Sequence, residues 1–140
     1  MDNPAGIFIL SSVLLVAICG VIYLVFIAKP GAKLNVQRYQ TKWLAIENSL
    51  RRDNTASYHM AIINADKLLD QALRERHTKG KTMGERMKAA QSTWSNANYV
   101  WGAHKVRNQI AHEPDFQVSY DITLRALSAF KQGLKDLGAI

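Results

Sequence analysis

The sequence predicts an all-α protein in which one N-terminal transmembrane helix is followed by a bundle of four to five helices. Three observations lead to this fold class. Residues 5–28 carry no charged side chain, and the apolar residues after them recur at intervals of three and four. No stretch alternates apolar and polar residues for long enough to predict a sheet. With 140 residues, 48% of them hydrophobic, one modest domain can follow the N-terminal run.

The uncharged run over residues 5–28 has the length of a membrane span, because about 20 apolar residues cross a hydrocarbon core of about 30 Å. A cleaved signal peptide is one alternative, but it needs a basic start, and only Asp2 precedes this run. A buried helix is the other alternative. All 18 lysines and arginines follow the run, and Lys29 and Lys33 favour the cytoplasmic side. We therefore predict a single-pass inner-membrane protein with its N-terminus outside and its C-terminal domain in the cytoplasm.

This topology divides the chain into an extracytoplasmic tail (1–4), a transmembrane helix (5–28), a juxtamembrane linker (29–35) and a helical domain (36–140). The lipid bilayer is thus the first predicted partner. The net charge of +7 suits RNA, DNA or an anionic membrane surface as a binding partner. The single cysteine, Cys19, lies in the apolar run, which leaves no disulfide and no cysteine-based metal site. No cofactor and no metal ligand is predicted.

The first three helices of the domain follow from caps and apolar stripes. The first runs from about Val36 to Arg51 and Arg52. The second begins at the capping cluster 53–55 and extends to about His77. Thr82 stands three residues before Glu85, which is the spacing of a capping box at the start of a third helix. The stripe expected to be buried in the first helix consists of Val36, Tyr39, Trp43, Ile46 and Leu50.

The last two helices begin at Ser95-Asn96 and at Ser119. The first of them ends at His112, since Pro114 disfavours the α conformation of Glu113. Its core-facing residues are expected to be Tyr99, Ala103, Val106 and Ile110. On the opposite side, Asn108 and His112 each fall within roughly 20° of Trp101, and His104 and Lys105 flank them. The final helix buries Tyr120, Leu124, Leu127, Leu134 and Leu137 and ends at Gly138.

Most catalytic signatures are missing from the sequence. It contains no glycine-rich phosphate loop, no His-Glu-x-x-His zinc motif, no Gly-x-Ser-x-Gly motif and no paired carboxylates at a plausible spacing. The search for reactive groups is thereby narrowed to Arg107, Asn108 and His112, at the end of the penultimate helix.

The segment Arg107-Asn108-Gln-Ile-Ala-His112 resembles the Arg-x(4–6)-His motif of the HEPN superfamily (higher eukaryotes and prokaryotes nucleotide-binding). In that motif the residue after arginine is often Asn, Asp or His. The position is also similar, near the end of the penultimate helix of an all-α bundle and before a loop and a last amphipathic helix. The likeness spans about residues 36–140, while the apolar N-terminal run is not part of the family's pattern.

The resemblance implies a homodimer in which two motifs meet and cut RNA without a metal, leaving a 2′,3′-cyclic phosphate. Arg107 would hold the scissile phosphate, Asn108 would orient the site, and His112 would exchange protons with the 2′-hydroxyl or the leaving oxygen. Trp101 would meet a partner helix or stack on a base, with His104 and Lys105 as auxiliary phosphate contacts. An antitoxin or other protein partner would follow from the family analogy.

The alternative is a noncatalytic membrane-bound module for dimerisation or nucleotide binding. In this interpretation Arg107 pairs with Glu113 or with an acid on another helix, and Asn108 bonds a loop backbone. His112 caps the helix C-terminus, and Trp101 is an ordinary packed aromatic residue.

Overall fold

The structure, a computed structural model, describes the backbone of residues 4–27 and 32–140 and the side chains of residues 8–24 and 32–140. The chain divides into two compact units, residues 1–31 and residues 32–140. The described residues form six α-helices and no strand, so the all-α class is confirmed. The helices are α1 (Pro4–Ile27), α2 (Val36–Ser49), α3 (Thr55–Glu75), α4 (Met83–Ala89), α5 (Ala97–His112) and α6 (Tyr120–Asp136), with one 3₁₀ turn at Gln91–Thr93.

The first unit contains α1 alone among the described elements. In the part of the chain that the structure describes, no helix combines the length and the apolar character that crossing a membrane requires. The predicted transmembrane helix over residues 5–28 is therefore wrong for the described residues, and the inner-membrane topology loses its basis. The start of the predicted tail and residues 28–31 lie outside them.

The second unit is a bundle of five helices, within the predicted range of four to five. Its central element is α3, which packs against α2, α4, α5 and α6, while α5 also packs along α6. This arrangement follows from an apolar face that runs the whole length of α3. The side chains that fill the core most completely are Tyr39, Ile62, Leu69, Leu73, Met87, Val100, Phe130, Leu134 and Leu137.

The predicted helix starts are confirmed by the capping hydrogen bonds. The Asn54 side chain accepts from the backbone of Ser57 at the start of α3, and Asn96 and Ser119 cap α5 and α6 in the same way. Thr82 and Glu85 form both bonds of a capping box at α4. These side chains satisfy N–H groups that the first helical turn leaves without partners. Helix α6 is followed by Gly138 at φ +68, a left-handed conformation that suits glycine.

Three apolar residues assigned to buried stripes are exposed. Val36 is 41% exposed, Leu124 is 43% exposed and Tyr99 is 38% exposed. In α5 the buried positions are Ala103, as predicted, and Val100, which the pattern did not identify. This helix packs against both α3 and α6, so the centre of its core face lies closer to Val100 than to Tyr99. In α6 the largest buried side chain missing from the predicted stripe is that of Phe130, which is fully buried.

Two leucines of α6 test this assignment of its faces. Leu127 is 5% exposed and Leu124 is 43% exposed, although the sequence pattern assigns both to the core. We expect Leu127→Ala to lower the free energy of unfolding by about 2–5 kcal/mol, since it leaves a cavity. Leu124→Ala should cost about 1 kcal/mol or less. Urea titration of the full chain followed by circular dichroism measures both, and equal losses would contradict the observed register of α6.

Candidate functional site

A polar groove of about 800 Å³ lies between α3, the start of α4 and α5. Its charged lining comes from three places in the sequence that only the fold brings together. The positively charged side chains are those of Lys67, Arg74, Lys81, Arg86 and Arg107, and the carboxylates are those of Asp66 and Asp70. A second cavity of about 410 Å³, mostly apolar, lies between α5 and α6 and contains none of the predicted site residues.

Asp66 on α3 is the most deeply buried charged group in the groove, with 3% of its surface exposed. Its Oδ1 lies 2.7 Å from Nδ1 of His104, and its Oδ2 lies 3.2 Å from Nε of Arg107. The Nε–H of Arg107 is not aligned with the carboxylate, so this second contact is an ion pair rather than a hydrogen bond. One carboxylate thus holds two residues that lie three positions apart on α5.

Asp70 lies one turn further along α3 and holds α4 in place. Its Oδ1 accepts hydrogen bonds from Nε of Arg86 at 2.8 Å and from Nη2 at 2.6 Å, and Oδ2 pairs with Arg74. Nη1 of Arg86 donates to the carbonyls of Gly80 and Lys81. The buried guanidinium is therefore fully engaged with Asp70 and with the loop that precedes α4, which makes it a structural group.

The loop before α4 forms one rim of the groove, and its shape depends on Gly80. This residue has φ +139, and a Cβ there would lie 2.7 Å from the backbone nitrogen of Arg86. Backbone N–H groups of Lys81 and Thr82 donate to Glu85, and these bonds hold the pKa of that carboxyl below its ordinary value. The rim is thus fixed by a glycine turn and by the capping box.

Five of the six predicted site residues line this groove. They are Trp101, His104, Arg107, Asn108 and His112, whereas Lys105 is exposed and does not line it. Nη1 of Arg107 donates to Oδ1 of Asn108 at 3.0 Å. His112 is exposed on the last turn of α5. The motif therefore faces one groove, with its arginine joined to α3.

Trp101 is half-buried and packs against the edge of the core. Its ring meets the ring of His104 edge-on, with centroids 6.1 Å apart and an interplanar angle of 75°. A Cβ on Gly84 would lie 3.8 Å from the indole, so the ring also lies against the first turn of α4. Trp101 thus contacts both the imidazole of His104 and the first turn of α4.

Several groove residues were not identified from the sequence, above all Asp66 and Asp70. They are two carboxylates four residues apart, each paired with cationic side chains. The signal was their position between Ile62 and Leu73, on a helix face that is otherwise apolar. Acidic side chains on such a face are buried and must be paired. Nothing in the sequence identified which residues pair with them.

The balance of charges makes this groove attractive to anions. Five lysine and arginine side chains face two carboxylates, and both carboxylates already have cationic partners on the protein. Lys67 and Lys81 are exposed and available to a ligand, and Arg74 keeps 67% of its side chain exposed although it is paired with Asp70. Within the described part of the chain, no three histidine, cysteine or acidic side chains are grouped so as to hold a metal ion.

Comparison with known proteins adds no relative. No protein-family model matches the chain, and no curated protein and no solved structure is significantly similar to it. The resemblance to the HEPN superfamily accordingly stays a prediction that rests on the residues of α5 and on the order of the helices.

Two glycines provide a matched test of the groove's rim. Gly80→Ala should destabilise the fold by about 1–3 kcal/mol, because it combines an unfavourable φ with a backbone clash. A Cβ at Gly102, in the middle of α5, would meet nothing within 4 Å, so Gly102→Ala should stabilise the helix by about 0.5–1 kcal/mol. Thermal unfolding of both variants measures the difference. A Gly80→Ala variant as stable as the parent would contradict the described loop.

A double-mutant cycle tests the Asp70–Arg86 pair, whose side chains are 12% and 7% exposed. Removing either partner alone should cost about 3–5 kcal/mol, because the other charge stays buried. The coupling between Asp70→Ala and Arg86→Ala should fall between about 1 and 3 kcal/mol.

The Glu47–Lys131 pair is the control for that cycle. The two side chains are 39% and 40% exposed, and Nζ of Lys131 lies 2.8 Å from Oε1 of Glu47, a distance similar to that in the buried pair. The hydrogen bond from Lys131 holds the pKa of Glu47 below its ordinary value. Its coupling should be at most about 1 kcal/mol. Equal coupling energies in the two cycles, measured by urea unfolding, would show that burial does not strengthen the Asp70–Arg86 pair.

Proposed function

We propose that this domain binds RNA in the groove between α3, α4 and α5 and cleaves it as a metal-independent endoribonuclease. The observation that carries the proposal is the excess of positive charge in the groove after Asp66 and Asp70 have been paired within the protein. Phosphate contacts supply most of the affinity of proteins for nucleic acids. A groove with exposed lysine and arginine side chains on two of its sides suits a phosphodiester backbone.

In this proposal Arg107 holds the scissile phosphate. Its Nε faces Asp66 and its Nη1 is bonded to Asn108, which orients the guanidinium. Among the described residues Nη2 has no hydrogen-bond partner and is not buried. It can therefore donate to a phosphate oxygen, and a planar guanidinium fixed by its other nitrogens loses little freedom when it does so.

His112 supplies proton transfer in the same reaction. The 2′-hydroxyl of the ribose attacks the adjacent phosphorus, the bond to the 5′-oxygen breaks, and a 2′,3′-cyclic phosphate results. One proton leaves the hydroxyl and another is added to the departing oxygen, and an imidazole can do either near neutral pH. The exposed position of His112 on the last turn of α5 supports this role.

The same family resemblance supports a homodimer, in which a second copy of α5 completes the groove. A noncatalytic RNA- or nucleotide-binding module is the second candidate function. The observation in its favour is that Arg107 already has an acidic partner, Asp66, as a structural arginine would. Both candidates predict that the groove binds RNA, and only the enzyme predicts that the RNA is cleaved. Fold alone does not decide between them.

Incubating the full chain with single-stranded RNA in EDTA tests the enzyme. We expect fragments with 2′,3′-cyclic phosphate ends, detected by gel electrophoresis and mass spectrometry. Arg107→Ala should slow cleavage by a factor on the order of 10²–10³, the usual loss when one donor to the transition state is removed. His112→Ala should slow it by a factor on the order of 10²–10⁴.

The matched control is Arg125→Ala, which removes an exposed arginine of α6 outside the groove and should change the rate less than about twofold. Cleavage that survives both the Arg107 and the His112 substitutions would overturn the enzyme. Binding without any cleavage by the parent, weakened by Lys67→Ala and by added salt, would instead support the noncatalytic module. Sedimentation of the parent at several concentrations tests the dimer.

A further inference from the structure

The contact between Asp66 and His104 has the form of a carboxylate that positions a reactive imidazole. The two side chains are 2.7 Å apart, and they are only 5% and 12% exposed. Asp66 comes from α3 and His104 from the middle of α5, so the fold rather than the local sequence sets this distance. A solvent-exposed imidazole would sample many orientations, whereas this one is held by its contact with Asp66 and by an edge-on contact with the ring of Trp101.

The carboxylate also selects the tautomer of the imidazole. A carboxylate can only accept a hydrogen bond, and Asp66 also forms an ion pair with Arg107. Nδ1 of a neutral His104 therefore carries the proton, and Nε2 keeps its lone pair. In the described residues Nε2 has no hydrogen-bond partner, yet it is not among the buried unpaired atoms, so it is open to the groove that His104 lines.

We infer that His104 is the general base of the reaction and Asp66 its positioning residue, an inference that rests on the proposed function. Nε2 takes the proton of the ribose 2′-hydroxyl as the 2′-oxygen forms its bond to phosphorus. The bond from phosphorus to the 5′-oxygen breaks, and the departing oxygen takes a proton from the imidazolium of His112. The protonated His104 stays next to the Asp66 carboxylate, which stabilises the new charge.

This assignment divides the two histidines of the groove between two proton transfers. His104 lies beside Arg107, where the phosphate is held, and its nitrogen is aimed by a buried partner, as a base requires. His112 lies eight residues on, about 12 Å along the helix axis, and is exposed. Substrates with different leaving groups can therefore separate the two roles.

The test compares RNA with uridine 3′-(4-nitrophenyl phosphate), whose nitrophenolate leaves without needing a proton. With RNA, both His104→Ala and His112→Ala should lower kcat by a factor on the order of 10² or more. With the nitrophenyl ester, His112→Ala should recover to within about tenfold of the parent, whereas His104→Ala should stay at least about 10²-fold slower. Added imidazole should partly restore the His104→Ala variant.

Asp66→Asn tests the positioning role. The amide can donate to Nδ1 and would then place the proton on Nε2, so kcat should fall by a factor on the order of 10²–10⁴, while KM changes less than about threefold. The control His59→Gln removes an imidazole of α3 that does not line the groove and should leave both constants unchanged. Unfolding midpoints close to that of the parent would exclude loss of the fold as the cause of a lowered kcat.

The nitrogen shifts of the His104 ring provide a readout that does not depend on activity. In a ¹⁵N-labelled protein they should show the Nδ1-protonated tautomer in the parent and the Nε2-protonated tautomer in Asp66→Asn. A parent that cleaves both substrates while the Asp66 and His104 variants are equally fast would overturn this inference and leave the proposed function standing. A parent that cleaves neither substrate overturns both, and an Nε2-protonated parent overturns the base assignment alone.

Discussion

Two buried carboxylates on α3 determine how the rest of the groove is built. Asp66 and Asp70 lie one turn apart on the central helix, at 3% and 8% exposure. Burying a carboxylate costs free energy unless cationic or hydrogen-bond donor groups surround it. The partners are drawn from two different helices: Asp66 holds α5 through His104 and Arg107, and Asp70 holds α4 through Arg86.

The two carboxylates nevertheless have different consequences for the surface of the groove. Arg86 also donates to two loop carbonyls. All its guanidinium nitrogens are thus hydrogen-bonded within the protein, which fixes α4 and leaves no donor for a ligand. Asp66 is less completely satisfied, since the N–H of Arg107 is not aligned with it. Nη2 of Arg107 and Nε2 of His104 consequently remain available to a ligand at the Asp66 end of the groove.

Local features of the sequence predicted the helices, and longer-range features could not be predicted. Capping at Asn96, Ser119 and the Thr82–Glu85 box depends on residues within one helical turn. Such signals can therefore be recognised from the sequence alone. The offset of the α5 core face to Val100 and the exposure of Leu124 depend on where neighbouring helices lie. Periodicity gives the width of an apolar face, but the packing partners select its centre.

The candidate site residues divide in the same way. Arg107, Asn108 and His112 stand close together in the sequence, so a short motif could indicate them. Asp66 and His104 lie 38 positions apart, and no short motif indicates their contact. His104 looked like a flanking polar residue because its role depends on a partner that no spacing rule specifies. In the proposed reaction this long-range contact performs two tasks that reinforce each other. The carboxylate that joins α3 to α5 also stabilises the imidazolium formed during attack, so the interaction that stabilises the fold becomes stronger as the transition state is approached.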